Sequence, residues 1–191
     1  PYGAKKSLFG TNPIAFGAPI KNKPAFIFDS SMSKINRGKI RIAAKLGKKI
    51  AYGVALDKFG KITTDPKKAL KGVHLPISDF KGSGLAWMVD ILSGVLTGSA
   101  HGGSVKDPFE DFTGPQNIGH LFITFKANLF VKDFSKRILN NIKKVKKLPK
   151  IKGVREIMYP GQSKYQRYKK NKKKDINLPK KIYDELQNLL K

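Results

Sequence analysis

Pro24-Ala25-Phe26-Ile27-Phe28-Asp29-Ser30-Ser31-Met32-Ser33 is the stretch that decides the fold class. A brief apolar run stops at an acid and a cluster of small hydroxyl side chains, which reads as a buried strand entering a helix cap. Beyond it Ile35, Ile42, Ala43 and Leu46 recur at helical spacing until Gly47, a helix stop. The expectation is a strand, a short polar turn and a helix over about 32–46.

Working outward, residues 1–20 are rich in Gly and Pro and predict a loop with a short strand at Pro13–Ala18. Residues 50–80 carry turn sequence such as Asp57-Lys58-Phe59-Gly60 and Thr63-Thr64-Asp65-Pro66. Lys81-Gly82-Ser83-Gly84 then leads into Leu85–Leu96, apolar on most sides and so predicted to be a buried helix, with Trp87 and Met88 in the core. Residues 98–119 form a long loop of the kind that serves function or a partner. His120–Phe125 reads as a strand.

From residue 133 Phe134, Ile138, Ile142, Val145 and Leu148 lie on one helical stripe within a basic helix. Lys164–Lys174 holds seven basic residues in eleven, and Pro179 opens a last helix with Ile182, Leu186, Leu189 and Leu190 facing the core. The whole predicts an α+β fold, a mixed sheet with packed helices. Residues 1–130 form the main domain and 131–191 a basic helical segment.

The 191 residues suffice for a core without staples. There is no Cys, which excludes disulfides, thiolate nucleophiles and Cys-ligated metals. His74, His101 and His120 are not spaced as metal ligands. His74 and His101 have no sequence partner to make either a base, and Asp90, in the apolar helix, reads as orienting a neighbouring loop. No apolar run is long enough to span a bilayer. The sequence starts at Pro1, without Met or a charged-then-apolar leader, so neither a signal peptide nor a natural start is visible.

Charge is the conspicuous feature: 39 basic against 13 acidic residues give +26, a value that usually prompts a nucleic-acid hypothesis. Only five of the basic residues are Arg, the side chain whose fork reads phosphate and bases bidentately. Residues 126–191 carry 21 basic and 5 acidic residues, so the charge sits away from the first segment's motifs. The Lys164–Lys174 run reads as a solvated arm, and the alternative is a nucleic-acid-binding arm in which Tyr165 and Tyr168 stack on bases.

No G-x-G-x-x-G, P-loop, H-E-x-x-H or G-x-S-x-G is present. Two predicted helix starts remain, after Asp29 and after Lys81. Free N–H groups and the helix dipole suit such starts to phosphate, although ordinary capping explains them too.

Several strings occur together in one order: Gly10-Thr11-Asn12-Pro13-Ile14-Ala15-Phe16, Phe28-Asp29-Ser30-Ser31-Met32-Ser33 running to Arg37-Gly38-Lys39, Thr63-Thr64-Asp65-Pro66, and Lys81-Gly82-Ser83-Gly84-Leu85. Met88-Val89-Asp90 to Gly98, Gly119-His120-Leu121-Phe122-Ile123, Tyr159-Pro160-Gly161-Gln162 and Leu178-Pro179 continue it. Together they resemble the malate/L-lactate dehydrogenase family of NAD(P)-dependent oxidoreductases that lack a Rossmann fold. The resemblance covers essentially the whole chain.

It implies interconversion of a 2-oxo acid and a 2-hydroxy acid in a cytoplasmic homodimer, the 98–119 loop being a candidate dimer contact. NAD and NADP both stay open as the cofactor. Carried over by motif, Asp29, Ser30 and Ser31 would line the dinucleotide, Lys81 would contact it, and Gly161, Gln162 and Ser163 would close over it. Where the family has Asp-Met-Ala-Thr this chain has Asp29-Ser30-Ser31-Met32. Where the imino-acid reductase branch has His-Gly-Asp it has Arg37-Gly38-Lys39, and Lys39 cannot do a carboxylate's work. His120 stands where relatives also carry Gln, which implies a structural role. The family's N-terminal part supplies a Ser-His pair, a substrate Arg and a further His. None maps here, so the chain resembles a C-terminal fragment, without catalytic residues or a metal and inactive alone. The alternative is a basic nucleic-acid-binding module built on a former enzyme domain.

Overall fold

The computed structural model describes residues 1–190. They divide into two compact units, Pro1–Ile14 with Asp29–Ile123, and Ala15–Phe28 with the chain from Thr124 onward. The second unit thus takes an excursion of the N-terminal chain that a boundary at 130 does not foresee.

In chain order the elements are β1 (Ile14–Ala18), β2 (Phe26–Ser30), α1 (Arg37–Lys45), β3 (Ala55–Leu56), α2 (Pro66–Leu70), β4 (Val73–His74), α3 (Phe80–Asp90), α4 (Phe134–Lys146), α5 (Gln162–Asn171) and α6 (Lys180–Asn188). The fold is α+β, but the expected mixed sheet is replaced by two separate two-stranded ladders, β1 with β2 and β3 with β4. β3 and β4 run antiparallel, Ala55 opposite His74 and Leu56 opposite Val73.

In the first unit α1 packs on α2 over a small core of Ile40, Ile50, Ala55 and Ala69, flanked by Ile35, Ala43, Val54 and Leu70. Both helices begin on side-chain caps. Asn36 accepts from the Lys39 N–H, and Asp65 accepts from Lys67 and Lys68, with Pro66 at the first helical position. α1 therefore starts at Arg37, not at 32. The backbone explains the delay: Met32 N–H donates to Thr11 O, Lys34 N–H to Leu75 O, and Ile77 N–H to Met32 O. Residues 31–35 are tied to two neighbouring segments, and the Met32 carbonyl, spent on the Ile77 N–H, does not accept from residue 36 as a helix starting there would require.

α3 begins at Phe80 and continues as a π-helical turn over Ile91–Val95. Its inward side is made of Gly82, Ser83 and Ala86, while Trp87 and Met88 stay 49% and 42% exposed. The expectation of a helix buried all round is corrected: close packing selects its small residues for the inside and turns the bulky ones out. Phe9 still meets Trp87 edge-on, with ring centroids 4.8 Å apart. Residues 120–125 are not in a ladder, and Phe122 is 86% exposed. Their apolar β-favouring pattern is real, but a strand exists only with a paired neighbour.

In the second unit Phe134, Ile138 and Ile142 of α4 line an apolar cavity with Phe16, Phe26 and Met158. Tyr159 Oη donates to Pro24 O at 3.0 Å, Ile27 N–H donates to Pro160 O at 3.1 Å, and Lys21 N–H donates to Ser135 Oγ. Apart from Leu148, which lies outside it, the stripe predicted for α4 thus faces this apolar cavity, Val145 included although it is 46% exposed. α6 does not: Leu186, Leu189 and Leu190 are all exposed, and the last two lie past the helix end at Asn188.

Candidate functional site

Asp29 and Ser30 end β2, and Ser31 follows in the pinned segment. Ser30 Oγ donates to Ser31 O at 2.9 Å and Ser31 Oγ donates to Ser33 O at 3.3 Å, so this turn is stiffened by its own hydroxyls. The helix-start reading of Asp29–Ser31 is corrected, because α1 opens six residues after Ser31. Lys81 is exposed in the first turn of α3, its N–H donating to Ser78 O, so that helix starts just before Lys81 rather than after it. Ser78 and Asp79 lead into the helix in left-handed conformation (φ +46° and +52°), and Asp79 binds Lys34 Nζ at 2.7 Å. The pairing of Met32 with Ile77 sets the 30–34 segment beside the approach to α3, placing these candidates along adjacent segments.

In the second unit Gly161 has φ +94°, and a Cβ there would meet Ile27 N at 3.0 Å and Ala25 O at 3.1 Å. The glycine is required by the chain's own packing, whatever else approaches it. Gln162 opens α5 and is 8% exposed, with Nε2 donating to Glu156 Oε1 at 2.9 Å. Lys146 Nζ binds the same carboxylate oxygen at 2.6 Å. Lys146 first, then Gln162, holds the Glu156 carboxyl below its usual range. Gln162 Oε1 is buried with no partner, and Ser163 is exposed in the same turn.

The first unit also holds a cavity of about 180 Å³ lined by Thr11, Met32, Ser33, Arg37, His74 and Ser83, among others. Ser83 Oγ accepts from Tyr2 N–H at 3.0 Å. His74 is half-buried, and burial first, then the Arg37 charge, lowers its pKa below the ordinary 6.5. Arg37 binds Asp107 through Nη1 and Glu110 through Nη2, the latter at 2.8 Å. Arg41 reaches Glu110 at 3.4 Å and Asp107 at 3.9 Å, and lies 3.7 Å over the Phe109 ring.

Sequence reasoning missed this cavity. Its signal was available: Arg37 and Arg41 stand one helical turn apart, and Asp107, Glu110 and Asp111 crowd one loop of a chain with few acids. The Asp90 carboxylate accepts from Gly102 N–H at 3.1 Å and so orients the loop as expected. His120 is exposed, its ring tilted against Phe122 with centroids 6.3 Å apart. Among the described residues no cluster of His, Asp or Glu could hold a metal, and no helix is long and apolar enough to cross a membrane.

The first unit thus combines a cavity walled in part by Arg37 and His74 with a 31–34 segment tied to the approach to α3. Residues 1–187 match the family described as malate/L-lactate dehydrogenase, and the chain belongs to that family. It is 36% identical over 188 residues to a (2R)-3-sulfolactate dehydrogenase (NADP(+)) of Chromohalobacter salexigens, covering 98% of this chain and 54% of that protein. It is 34% identical over 190 residues to a Delta(1)-pyrroline-2-carboxylate reductase 2 of Burkholderia multivorans, covering 100% of this chain and 55% of the relative. The crystal structure of a dehydrogenase from Sinorhizobium meliloti superposes with a TM-score of 0.90 at 30% identity, over 99% of this chain and 55% of that one. The chain spans about half the length of the relatives it matches.

Proposed function

We propose that this chain is the dinucleotide-handling part of an NAD(P)-dependent oxidoreductase that interconverts a 2-oxo acid and a 2-hydroxy acid. The observation that carries the reading is the family match over residues 1–187. In the proposal the residues that contact the dinucleotide, in a site of non-Rossmann type, are those that the family's motifs assign: Asp29, Ser30, Ser31, Lys81, Gly161, Gln162 and Ser163.

The residues present fit such a group. Lys81 offers an exposed ammonium to a phosphate. The orphaned Gln162 Oε1 is an acceptor short of a donor, and a buried unpaired polar atom is costly unless a ligand completes it. When bound, a nicotinamide dinucleotide supplies the hydride. The chain's part is to fix that group in place through these polar contacts, and to receive the small acid in the Arg37–His74 cavity. Burial and the Arg37 charge favour the neutral His74 ring there, so it serves the cavity as a hydrogen-bonding group rather than as a cation. The residues that deliver the reaction's proton and anchor the substrate carboxylate are placed by this reading outside these 191 residues.

The proposal takes the whole enzyme to be a cytoplasmic homodimer with the 98–119 loop as the contact, and the exposed apolar side of α3, with Trp87, Met88 and Ile91, is a second surface available to a protein contact. The test is thermal shift of the chain with NADH and with NADPH, set against salt-dependent retention on RNA and DNA. Stabilisation by either dinucleotide with no 2-oxo acid turnover is the expected result. Submicromolar nucleic-acid binding at physiological salt, with neither dinucleotide stabilising the fold, would instead favour a basic nucleic-acid-binding module.

A further inference from the structure

His120-Leu121-Phe122-Ile123-Thr124-Phe125 has the residue types of a strand and carries no Lys, Arg or acid, and all six residues are exposed. Among the described residues no main-chain hydrogen bond uses an N–H or C=O of this run. The chain on either side is nevertheless fixed. Ala100 N–H donates to Asn117 O at 3.0 Å, a Cβ at Gly119 would sit 1.7 Å from Ser93 O, and Leu129 N–H donates to Lys126 O at 2.9 Å. The run is therefore presented between two held points with its ladder groups unpaired. In extended backbone Leu121, Ile123 and Phe125 share one side, and His120, Phe122 and Thr124 the other.

Natural sheet edges carry charged residues, Lys above all, which stop a further strand from adding. This chain has 39 basic residues, yet the 44 residues 82–125 hold one, Lys106, and the other 147 hold 38. Surface that meets water in so basic a chain carries Lys, whereas surface that another polypeptide covers excludes it, because an ammonium is costly to desolvate there. The same stretch turns Trp87, Met88, Ile91 and Leu96 outward. Both sheets of the chain are also two-stranded, and a sheet generally needs three or more strands to stand by itself.

We propose that residues 120–125 are a strand whose neighbour comes from the part of a family-length protein that this chain does not cover. The extent of that part favours it over a second copy of this chain. The Sinorhizobium meliloti structure superposes on 99% of this chain, but the match uses only 55% of its own residues. Nearly half of a protein with the same fold is thus polypeptide without a counterpart here, enough to supply several strands. Recognition runs through main-chain N–H and C=O groups, while Leu121, Ile123 and Phe125 bury apolar surface on one side of the enlarged sheet. The inference uses the family match and not the dinucleotide site, so a failed NADH thermal shift leaves it standing.

The experiment co-expresses the 191-residue chain with the portion of the Chromohalobacter salexigens relative that it does not match, and follows amide exchange of residues 120–125 by mass spectrometry. The expected result is a stable complex in which these amides exchange at least about a hundredfold more slowly than in the chain alone. Ile123→Pro and Thr124→Pro remove a donor from opposite edges of the run, so at least one of them should weaken the complex by about tenfold or more. Neither should move the chain's own thermal midpoint, since no main-chain bond among the described residues uses those N–H groups. Absence of a complex, a complex in which these amides exchange as freely as in the chain alone, or one that neither Pro variant weakens overturns the proposal. Protection of 120–125 in the chain alone that grows with its concentration would assign the strand to a second copy, and overturns it too.

Discussion

Replacing Gly82 by Ala puts helix propensity and packing in direct opposition. Gly82 lies inside α3, where Ala gains about 0.8–1.0 kcal/mol over Gly. A Cβ built there, however, would sit 1.8 Å from Ile77 O and 2.8 Å from both the Ile77 carbonyl carbon and Cγ1. A carbonyl cannot be rotated aside like a side-chain tip, so the Ile77 backbone must retreat by about 1 Å or more. That backbone is not free to move: Ile77 N–H is bonded to Met32 O, and Ser33 bridges Pro76. Main-chain overpacking of this severity belongs at or above the top of the usual ~1–3 kcal/mol range, which outweighs the propensity gain and leaves a net loss of about 2 kcal/mol. Two residues on, Gly84 has nothing within 4 Å of its would-be Cβ, so Gly84→Ala should gain nearly the whole propensity term. Urea unfolding followed by circular dichroism reads both, and for a chain of this length the thermal midpoints should fall by about 4–8 °C and rise by about 2–3 °C respectively. Gly82→Ala as stable as the unaltered chain would refute the reasoning. So would a destabilising Gly84→Ala.

The lowered pKa of His74 carries a sign. Between the folded-state pKa and the ordinary 6.5 the unfolded chain binds more protons, so stability falls as the pH drops through that window and is unaffected above it. His74→Gln should flatten the acid side of a pH–stability profile, and an unchanged slope would count against the burial argument. Asp65→Ala removes the side-chain acceptor of the Lys67 and Lys68 N–H groups and should cost about 1 kcal/mol in urea unfolding, with Asp65→Asn recovering most of it.

What was legible in the sequence was local. The helical spacing up to Gly47 marks α1, but of the expected Ile35, Ile42, Ala43 and Leu46 stripe Ile42 is 46% exposed and the residue the helix buries fully is Ile40; Thr63–Pro66, read as a turn, ends in the Asp65 cap and first residue of α2. β1, β2 and α4 follow from apolar runs and a 3.6-residue stripe. What failed depends on partners distant in sequence. Nothing in Ser31-Met32-Ser33-Lys34 reveals that Thr11, Leu75 and Ile77 take the local backbone groups, so the spacing predicts a helix that opens earlier than α1 does. Nothing in His120–Phe125 reveals whether a strand lies beside it. In Leu85–Leu96 hydrophobicity predicts burial, whereas the inward face is chosen by size. At the candidate site, Gly161 and Gln162 were named for a ligand. The structure gives the glycine a packing duty of its own, and leaves the amide oxygen of Gln162 the orphan that still wants a donor.

The charge, too, changes meaning once it is placed. Of 39 basic residues 23 belong to the second unit, which holds only 5 of the 13 acids. In a background so rich in Lys an acid has many chance neighbours, and an exposed chance pairing is worth little. Yet the acids are not spent at random. Asp57 accepts from the Phe59 and Lys61 N–H groups, Asp65 caps α2, Asp90 holds Gly102, and Asp111 takes the Thr113 N–H and hydroxyl. Each closes a turn or anchors a loop by accepting local donors, work that no Lys can do because an ammonium has no acceptor. Asp107 closes a turn too, accepting from the Phe109 N–H, but with Glu110 it also binds two of the five arginines in a chain where Lys outnumbers Arg nearly seven to one. A planar guanidinium at 37 reaches two carboxylates at once through separate nitrogens, a geometry that a Lys ammonium matches less well. The scarce acids, not the abundant lysines, therefore fix how this chain's loops are held.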